Sequence, residues 1–403
     1  MRVEWMRQID RWVGGVLILL VAPCASLRRA SPLPHLHGFG PNPSTPVVPT
    51  GRLRPQPTIV VTKYFGMGSI LLCVPLLRQI RRRFPLAHIV LVSFSANQEL
   101  LRFIPYVDET LCIRTAPHVF IVDTLSTLWR LRRARPDIFL DAEFFSRYSA
   151  LMSVGSGASV RVGFHTLSLA MRGRLLTHRV YWNPYRHAAE NFLALGAAVG
   201  IQREKLVLEL RDFSSAEEAN GMAWLRQQEI SDRYVVCNPH GNTLRHLNAY
   251  PTTQWLALAE RLQTRLGCQI VFIGSKVDPD WDVKLDHPRA YLHNLSGRTN
   301  LTTMMVILKH AQGIVSVDSG VAHLAAVFQT PTLTLFGPDT PRLYGPLNPK
   351  GETMYAGLHC SPCANLLEGK KSDCEDNVCI NRWSAEEVCE KMVGLLKQTG
   401  QAA

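Results

Sequence analysis

The sequence predicts an α/β protein with two doubly wound, Rossmann-like domains. Short runs of consecutive apolar residues alternate with segments of helical spacing through both halves of the chain. Strands that are apolar throughout are typical of a parallel sheet covered by helices on both faces. A length of 403 residues with 46% hydrophobic residues is also enough for two cores. We therefore expect one domain at residues 58–211 and a second at residues 212–383.

The first domain begins with the β-branched run Thr58–Thr62, which predicts a strand. The sequence Gly-Met-Gly-Ser at residues 66–69 breaks this run, and apolar residues then recur at helical spacing over residues 70–83. The Phe84-Pro85 step should end that helix, because a residue before proline disfavours helical dihedral angles. The pattern continues with a strand at residues 89–92, a helix near residues 125–135 and a strand at residues 137–143.

The second domain repeats this alternation. Strands are predicted at residues 234–237, 269–274, 314–317 and 332–337, and helices at residues 252–266, at residues 300–310 and after Gly320. A final helix and tail occupy residues 384–403, since Ser384 and Glu387 have the spacing of a capping box.

Residues 1–29 contain an apolar run at residues 12–27 that is flanked by arginines. The run falls just short of the roughly 18–20 residues that span a bilayer, so we expect a helix that lies in the membrane interface. A short or tilted transmembrane anchor, a cleaved signal peptide and a helix packed on the protein's own body are the alternatives. Eight prolines in residues 30–57 predict an extended linker, which would make the anchor separable from the rest of the chain.

The chain carries a formal net charge of +12, which favours acidic partners such as an anionic membrane face or a phosphorylated substrate. No helix-turn-helix, zinc-finger or ribonucleoprotein signature occurs, so nucleic acid is not expected as a partner. Arginines cluster in two segments of the first domain, where a solvated helix surface is the alternative explanation. These arginines are Arg78, Arg81, Arg82 and Arg83, and Arg130, Arg132, Arg133 and Arg135.

The most informative segment joins the predicted strand at residues 314–317 to the following helix. Asp318, Ser319, Gly320 and His323 crowd together at this junction. Free backbone N–H groups and the helix dipole make such a helix N-terminus a binding site for anions, and a glycine lets a ligand approach the backbone closely. The alternative is structural, with Asp318 or Ser319 capping the helix and His323 packed beneath it.

Ligands of parallel α/β sheets bind at the carboxyl ends of the strands. Two such domains therefore suggest one substrate for each domain and transfer between them. The chain has no G-x-G-x-x-G segment before a helix and no G-x-x-x-x-G-K-[ST] segment. A redox dinucleotide and a P-loop nucleotide are therefore not expected.

Three motifs follow one another along residues 58–397. They are Gly66-Met67-Gly68-Ser69-Ile70-Leu71 with Pro75, then Asn238-Pro239-His240 running on to Tyr250-Pro251, and then Asp318-Ser319-Gly320-Val321-Ala322-His323-Leu324-Ala325-Ala326 followed by Pro331 and Leu335-Phe336-Gly337-Pro338. In this order they resemble the motifs of glycosyltransferase family 9, the ADP-heptose:lipopolysaccharide heptosyltransferases.

The resemblance implies a GT-B fold, in which two Rossmann-like domains face each other across a cleft, and an inverting transfer that requires no cofactor. It implies ADP-heptose as the favoured nucleotide-sugar donor and a lipid-linked saccharide, such as the core of lipopolysaccharide, as the acceptor. Such an enzyme would be cytoplasmic and peripheral to the inner face of the plasma membrane. Asp318 would bind hydroxyl groups of the donor sugar, and His240 would belong to the donor loop. The diphosphate would be held with the help of Ser319, Gly320 and His323.

Two positions depart from the family pattern. Ser69, which follows Gly66 and Gly68 in the first loop, stands where the family usually has a carboxylate that is the presumed base. A serine hydroxyl is a poor base without its own activator. The donor loop lacks the usual Lys or Arg before its Tyr-Pro step, so the cation for the phosphate would be Arg245, with His246 as a second candidate. Simple exposure of Arg245 in a loop is the alternative.

A replacement base is predicted in the same domain as Ser69. Asp141 and Glu143 lie at the carboxyl end of a predicted strand, and alternation places both on one face of it. We expect Glu143 to act as the base, with Asp141 as the alternative candidate. In the structural alternative, these carboxylates orient the loop or pair with Arg147 or Arg161.

Four of the ten cysteines lie in one loop at residues 360–379. They are Cys360, Cys363, Cys374 and Cys379. One Cys-x-x-Cys pair with two further thiols predicts a structural zinc site. Unligated or redox-labile thiols are the alternative, and a reducing cytoplasm disfavours disulfides.

The leading hypothesis is thus a glycosyltransferase at the membrane surface. Because Ser69 replaces the expected carboxylate, a catalytically weak protein that binds nucleotide sugar or acts as a scaffold is a second hypothesis. A sugar-nucleotide epimerase, which would need no lipid acceptor, is a third.

Overall fold

The computed structural model of the chain divides into two compact units, Met1–Val207 and Leu208–Ala403. The boundary lies a few residues before the position that the sequence suggests. The structure describes residues 10, 14–15, 17–19, 21–22, 35–36, 48, 53–144, 146–166, 170–239, 241, 249–274, 289–364 and 372–401.

Within the described residues, the first unit is built on a seven-stranded sheet with helices between the strands. The strands are β1 (His35–Leu36), β2 (Thr58–Thr62), β3 (His88–Phe94), β4 (Glu109–Ile113), β5 (Ile138–Asp141), β6 (Val160–His165) and β7 (His178–Tyr181). The helices are α1 (Met67–Arg83), α2 (Gln98–Leu101), α3 (Pro117–Ala134), α4 (Arg147–Gly155), α5 (Ala170–Gly173) and α6 (Ala188–Ala197). The strand order is β1-β7-β6-β5-β2-β3-β4, and neighbouring strands are parallel.

The strong apolar runs of the first unit form the expected elements, with shifted ends. β2 is buried along its whole length, as a central strand of a parallel sheet must be. α1 begins at Met67 rather than at residue 70, because Gly66 turns the chain into the helix with φ of 81°, a value that favours glycine. β5 ends at Asp141, so Glu143 lies beyond the strand.

The N-terminal helical residues pack against the first unit. Asp10 accepts hydrogen bonds from the backbone N–H groups of Arg147 (2.8 Å) and Tyr148 (2.6 Å), which open α4. Ile18 is fully buried in an apolar cluster that includes Ala150 of α4. This described part of the N-terminal segment is therefore not the separable anchor that the sequence predicts, because its apolar residues meet the apolar side of α4. Across the described part of the chain, no helix is both long and apolar enough to cross a membrane.

The second unit has a six-stranded parallel sheet within its described residues. Its strands are β8 (Tyr234–Asn238), β9 (Gln269–Phe272), β10 (Leu292–Asn294), β11 (Gly313–Val317), β12 (Thr332–Phe336) and β13 (Gly351–Tyr355). Its helices are α7 (Ser215–Gln227), α8 (Thr252–Leu266), α9 (Leu301–His310), α10 (Gly320–Phe328), α11 (Pro341–Tyr344), α12 (Val378–Asn381) and α13 (Ala385–Gln398). The strand order is β10-β9-β8-β11-β12-β13.

The core of the second unit lies between its sheet and the helices α8 and α13. Trp255 of α8 is fully buried there, in one cluster with Val388 and Met392 of α13. Burial of one such large apolar side chain is worth about 1.5–3 kcal/mol. The predicted capping box is confirmed, since Ser384 and Glu387 exchange hydrogen bonds at the start of α13. Both units thus confirm the predicted α/β class and place a row of loops at the carboxyl ends of their parallel strands.

Candidate active site

The carboxyl end of β11 lies in the middle of the second sheet, where the chain turns directly into α10. Ser319 is the N-cap of α10, and its Oγ accepts a hydrogen bond from the backbone N–H of Val321 at 3.3 Å. Gly320 is the first helical residue. Asp318 and His323 beside it are only 5% and 4% exposed. The capping role is therefore real, but it does not exclude an anion site, because one cap satisfies only one N–H group of the first turn.

Asn238 ends β8 and ties together two hydroxyl groups at this junction. Its Nδ2 donates hydrogen bonds to Ser316 Oγ at 2.9 Å and to Ser319 Oγ at 2.8 Å. These contacts form because β8 and β11 are neighbours, with Asn238 directly opposite Ser316. The buried amide therefore fixes the hydroxyl that caps α10.

The cysteine segment adjoins the loop that follows β12. Ser361 Oγ donates a hydrogen bond to the Gly337 carbonyl at 2.7 Å, and the backbone N–H groups of Cys363 and Ala364 both donate to the Pro338 carbonyl at 3.0 Å. The loop leaves the carboxyl end of β12, the strand next to β11. The segment therefore packs at the same edge of the second sheet as the junction between β11 and α10.

The four predicted zinc ligands influence one another but do not form a ligand set in this structure. Burial raises the pKa of the Cys374 and Cys379 thiols, and the nearby thiols of Cys360 and Cys363 raise it further. Within the described residues, no three His, Cys, Asp or Glu side chains are arranged to hold a metal ion. The described cysteines are free thiols. The zinc site is therefore not confirmed.

The first loop of the first unit connects β2 to α1. Gly66 has φ of 81°, so any other residue would be strained there. Gly68 and the half-buried Ser69 lie in the first turn of α1. A helix that begins after a short loop at the carboxyl end of a central strand can offer its first N–H groups to a ligand.

Glu143 binds this loop through hydrogen bonds to its backbone. Its Oε1 accepts three hydrogen bonds, from Lys63 Nζ at 2.7 Å and from the backbone N–H groups of Tyr64 at 2.6 Å and Phe65 at 3.1 Å. Lys63 is 2% exposed and Glu143 5% exposed, so the two form a buried ion pair. The Lys63 ammonium also lies 5.6 Å from the ring centroid of Phe144. Glu143 therefore orients the loop, as the structural alternative predicts. Its ion-pair partner is Lys63, whereas the sequence suggested Arg147 or Arg161.

Asp141 is corrected from a candidate base to a structural residue. It is fully buried, and its Oδ2 pairs with the guanidinium of the buried Arg172. Ser149 Oγ donates to Oδ2 at 2.8 Å, while Thr62 Oγ1 (3.2 Å) and the backbone N–H of Glu143 (3.1 Å) donate to Oδ1. Burial raises the pKa of Asp141, and Arg172 opposes that shift. Both oxygens are thus engaged by groups inside the unit, which favours a structural role for Asp141.

Two predicted donor-site residues, His240 and Arg245, lie outside the described residues, as does His246. Sequence reasoning missed Lys63, whose only signal is that it directly follows an apolar strand. It placed Asn238 in the donor-loop motif but not in contact with Ser316 and Ser319. The partners of both residues come from distant parts of the chain, so no local pattern predicts these contacts.

Each unit therefore presents a different kind of chemistry. The second unit presents helix N–H groups, hydroxyls and a carboxylate at one strand end, a combination that can hold a diphosphate and a sugar. The first unit presents the buried Glu143 carboxylate beside a loop that leads into a helix N-terminus.

Comparison with known proteins identifies the family of this chain. The family model that matches is glycosyltransferase family 9 (heptosyltransferase), over residues 126–371. The chain is 26% identical to lipopolysaccharide heptosyltransferase 2 of Salmonella typhimurium over 158 residues, 38% of this chain and 43% of that protein. It is 32% identical to lipopolysaccharide heptosyltransferase 1 of Pseudomonas aeruginosa over 133 residues, 31% of this chain and 34% of that protein. The chain thus spans less than half the length of these relatives.

Solved structures show the same fold. A glycosyl transferase of family 9 from Veillonella parvula superimposes with a TM-score of 0.74 at 17% identity, covering 86% of this chain and 99% of that one. The ADP-heptose lipopolysaccharide heptosyltransferase II of E. coli gives a TM-score of 0.68 at 22% identity, covering 86% of this chain and 100% of that one. The expected GT-B class of fold is thereby confirmed. Because the family model matches more than half of its residues, this chain belongs to glycosyltransferase family 9.

Proposed function

We propose that this protein is an inverting glycosyltransferase that moves a sugar from a nucleotide diphosphate to a lipid-linked saccharide. ADP-heptose is the favoured donor, and the core of lipopolysaccharide is the favoured class of acceptor. The observation that carries the proposal is the junction between β11 and α10, where Asn238 fixes Ser319 at the N-terminus of a buried helix. The relatives named above, which are heptosyltransferases, support the choice of sugar.

In this proposal, the junction binds the donor. The departing nucleoside diphosphate gains negative charge as the glycosidic bond breaks, and N–H groups at a helix N-terminus stabilise such charge without reorganisation. Ser319, Gly320 and His323 help to hold the diphosphate, and Asp318 binds sugar hydroxyls. His240 and Arg245 belong to the donor loop, with Arg245 as the phosphate cation.

Glu143 is the proposed base that deprotonates the acceptor hydroxyl. The three hydrogen bonds described above all converge on its Oε1 and orient the carboxylate, and Oε2 is the proposed proton acceptor. The same bonds hold the first loop, where Gly66, Gly68 and Ser69 would contact the acceptor. Ser69 is too weak a base to serve alone.

The test compares nucleotide sugars and acceptors in two steps. Thermal unfolding is measured with ADP-heptose and with UDP-, GDP- and dTDP-sugars, and transfer is then measured with a lipid-linked saccharide acceptor. Stabilisation by ADP-heptose together with transfer would support the proposal. Absence of stabilisation by every nucleotide sugar would contradict it.

The replacement of the family's carboxylate by Ser69 favours a second candidate function. A catalytically weak protein would bind nucleotide sugar at the junction and serve as a scaffold at the membrane. Stabilisation by a donor with no detectable transfer or hydrolysis would select this candidate. Conversion of the sugar nucleotide without any acceptor would select an epimerase instead.

We further propose that Cys360, Cys363, Cys374 and Cys379 bind one structural zinc ion. Thiolates in this number suit tetrahedral zinc, and binding would draw together thiols that already influence one another. Metal analysis of the purified protein tests this proposal, with iron measured as well because four thiolates also suit iron. Less than near-stoichiometric metal would contradict it.

The proposed place of action is the cytoplasmic face of the plasma membrane. The net charge of +12 supports attraction to anionic lipid, and a lipid-linked acceptor would be presented there. Fractionation of cells into membrane and supernatant, with and without a high-salt wash, tests this location. Release by salt would support peripheral attachment, and recovery wholly in the low-salt supernatant would contradict it.

A further inference from the structure

We propose that the outer face of α3 is a docking surface for an anionic lipid bilayer. This face carries the four large apolar residues Ile121, Val122, Leu125 and Trp129, which are 66%, 63%, 61% and 59% exposed. Their spacing places them in one stripe along the helix. The outer face of a surface helix is normally polar, so a continuous apolar stripe indicates a surface that is covered in use.

The stripe is not the result of a loosely attached helix. The opposite face of α3 contributes Leu131 to the core of the first unit. Thr124 Oγ1 lies 2.8 Å from Tyr148 Oη of α4, and Arg132 Nε donates to the Gly155 carbonyl at 2.7 Å. The orientation of α3 is therefore fixed, and the stripe faces outward as part of a packed helix.

The charges that border the stripe favour anionic lipid as the occupant. Arg132 and Arg133 lie in the last turn of α3 and Arg135 just beyond it, whereas Arg130, just before that turn, pairs with Glu109 of β4 at 2.6 Å. The one acidic residue of α3, Asp123, is paired with Arg114 outside the helix. The Arg133 guanidinium carbon lies 4.8 Å from the ring centroid of Trp129, so a cation and an aromatic ring stand together at one end of the stripe. Tryptophan and arginine beside an apolar face are typical of helices that lie in a membrane interface.

A second copy of the chain is a poorer occupant of this surface. Parallel pairing of two such faces would bring the arginine clusters of both copies together, and like charges across an interface are unfavourable. Antiparallel pairing would separate the clusters but offer them no acidic partner from α3, since Asp123 is paired with Arg114. Each unpaired arginine near an anionic membrane is instead attracted to it.

The N-terminal helical residues add a neighbouring apolar surface. They pack on α4, which is also the helix that α3 contacts, and they leave Leu17 and Leu19 42% and 56% exposed. Two elements that flank one helix thus both expose large aliphatic groups. A protein docked through this surface would lie beside the membrane that carries the lipid-linked acceptor. For that acceptor, the inference rests on the proposed function.

The experiment measures sedimentation of the full-length protein with vesicles. Vesicles of phosphatidylethanolamine with phosphatidylglycerol are compared with vesicles of phosphatidylcholine alone. We expect binding to the anionic vesicles and a loss of about tenfold or more in that binding for the double variant Leu125→Glu/Trp129→Glu. The matched control is Leu86→Glu, since Leu86 is 68% exposed on the turn between α1 and β3 and should leave binding unchanged.

Further measurements separate this inference from the proposed function. The double variant should keep wild-type stabilisation by ADP-heptose and wild-type transfer to a soluble acceptor saccharide, because both substituted side chains face outward. If the double variant binds anionic vesicles as the wild type does, or if the wild type binds neutral vesicles equally well, the inference is overturned. A concentration-dependent dimer that the double variant abolishes would assign the stripe to a second copy and would also overturn it.

Discussion

Lys63 and Glu143 form a buried ion pair, with 2.7 Å between Nζ and Oε1, at the base of the loop that opens α1. The same carboxylate oxygen binds the backbone N–H groups of Tyr64 and Phe65. The Glu143 side chain therefore neutralises the buried Lys63 cation and also fixes the backbone of the loop. Base chemistry and loop positioning by Glu143 can be distinguished, because they respond differently to removal of Lys63.

We expect Glu143→Gln to reduce kcat by at least about 100-fold, since general base catalysis by a positioned side chain contributes that much or more. The variant also leaves the Lys63 charge uncompensated, which should destabilise the protein by about 3–5 kcal/mol. The measurements are steady-state transfer kinetics with saturating donor, and urea unfolding.

The control is the double variant Lys63→Met/Glu143→Gln. It should recover much of the lost stability, because the isolated buried charge is gone, but it should not recover kcat. Recovery of kcat along with stability would show that Glu143 acts by positioning the loop and is not the base.

Asp141→Asn should lower the free energy of unfolding by about 3–5 kcal/mol, because it removes the counter-charge of the buried Arg172 guanidinium. Urea unfolding followed by fluorescence measures this loss. The double variant Asp141→Leu/Arg172→Met should be more stable than Asp141→Asn, since it buries no charge. A wild-type unfolding free energy for Asp141→Asn would contradict the structural role.

Ser319→Ala should weaken ADP-heptose binding by about tenfold, because it removes a hydroxyl at the proposed diphosphate site and releases Asn238 from it. It should also cost about 0.5–2 kcal/mol of stability through loss of the N-cap of α10. Binding is measured by titration calorimetry.

Ser384→Ala provides the matched control for that loss of capping. Ser384 caps α13 in the same unit with a complete capping box, so its removal should cost comparable stability and leave donor affinity unchanged. If both variants weaken donor binding equally, the effect comes from loss of helix capping in general. Ser319 would then not be a donor-binding residue.

His178 should make the first unit less stable as the pH falls. Burial lowers the pKa of His178 from its ordinary value of 6.5, and the nearby Arg161 lowers it further. The unfolded chain therefore takes up the proton first as the pH falls below that ordinary value, and stability is lost until the folded-state pKa is passed. The unfolding free energy of the wild type minus that of His178→Gln should decrease from about pH 8 to about pH 5. A constant difference would contradict this linkage.

The elements that the sequence predicts well are those with continuous apolar runs. β2, β11 and β12 are central strands buried on both faces, and such strands must be apolar throughout. β4 and β13 are edge strands that mix polar with apolar residues on both faces, so their pattern is weak in the sequence.

Side-chain partners are the part that sequence patterns do not predict. Asp141 and Glu143 look equivalent by spacing, but one pairs with Arg172 inside the core and the other with Lys63 beneath a loop. The contact of Glu143 joins residues that are 80 positions apart. Glu143 reaches the loop because β5 ends at Asp141, and Asp141 meets Arg172 because of how the unit packs around it. Both depend on the assembled sheet.

The sequence by itself determined the α/β class, the division into two units and the meeting of Asp318, Ser319, Gly320 and His323 where a strand turns into a helix, because these depend on local runs and on motifs at strand ends. Only the tertiary structure decided that Asp141 is structural, that Asn238 fixes Ser319, and that the described N-terminal helical residues pack on α4. The physical reason is that burial and hydrogen-bond partners are set by contacts between distant segments, such as the 137 positions that separate Asp10 from Arg147. Local pattern specifies elements, whereas packing specifies which side chains meet.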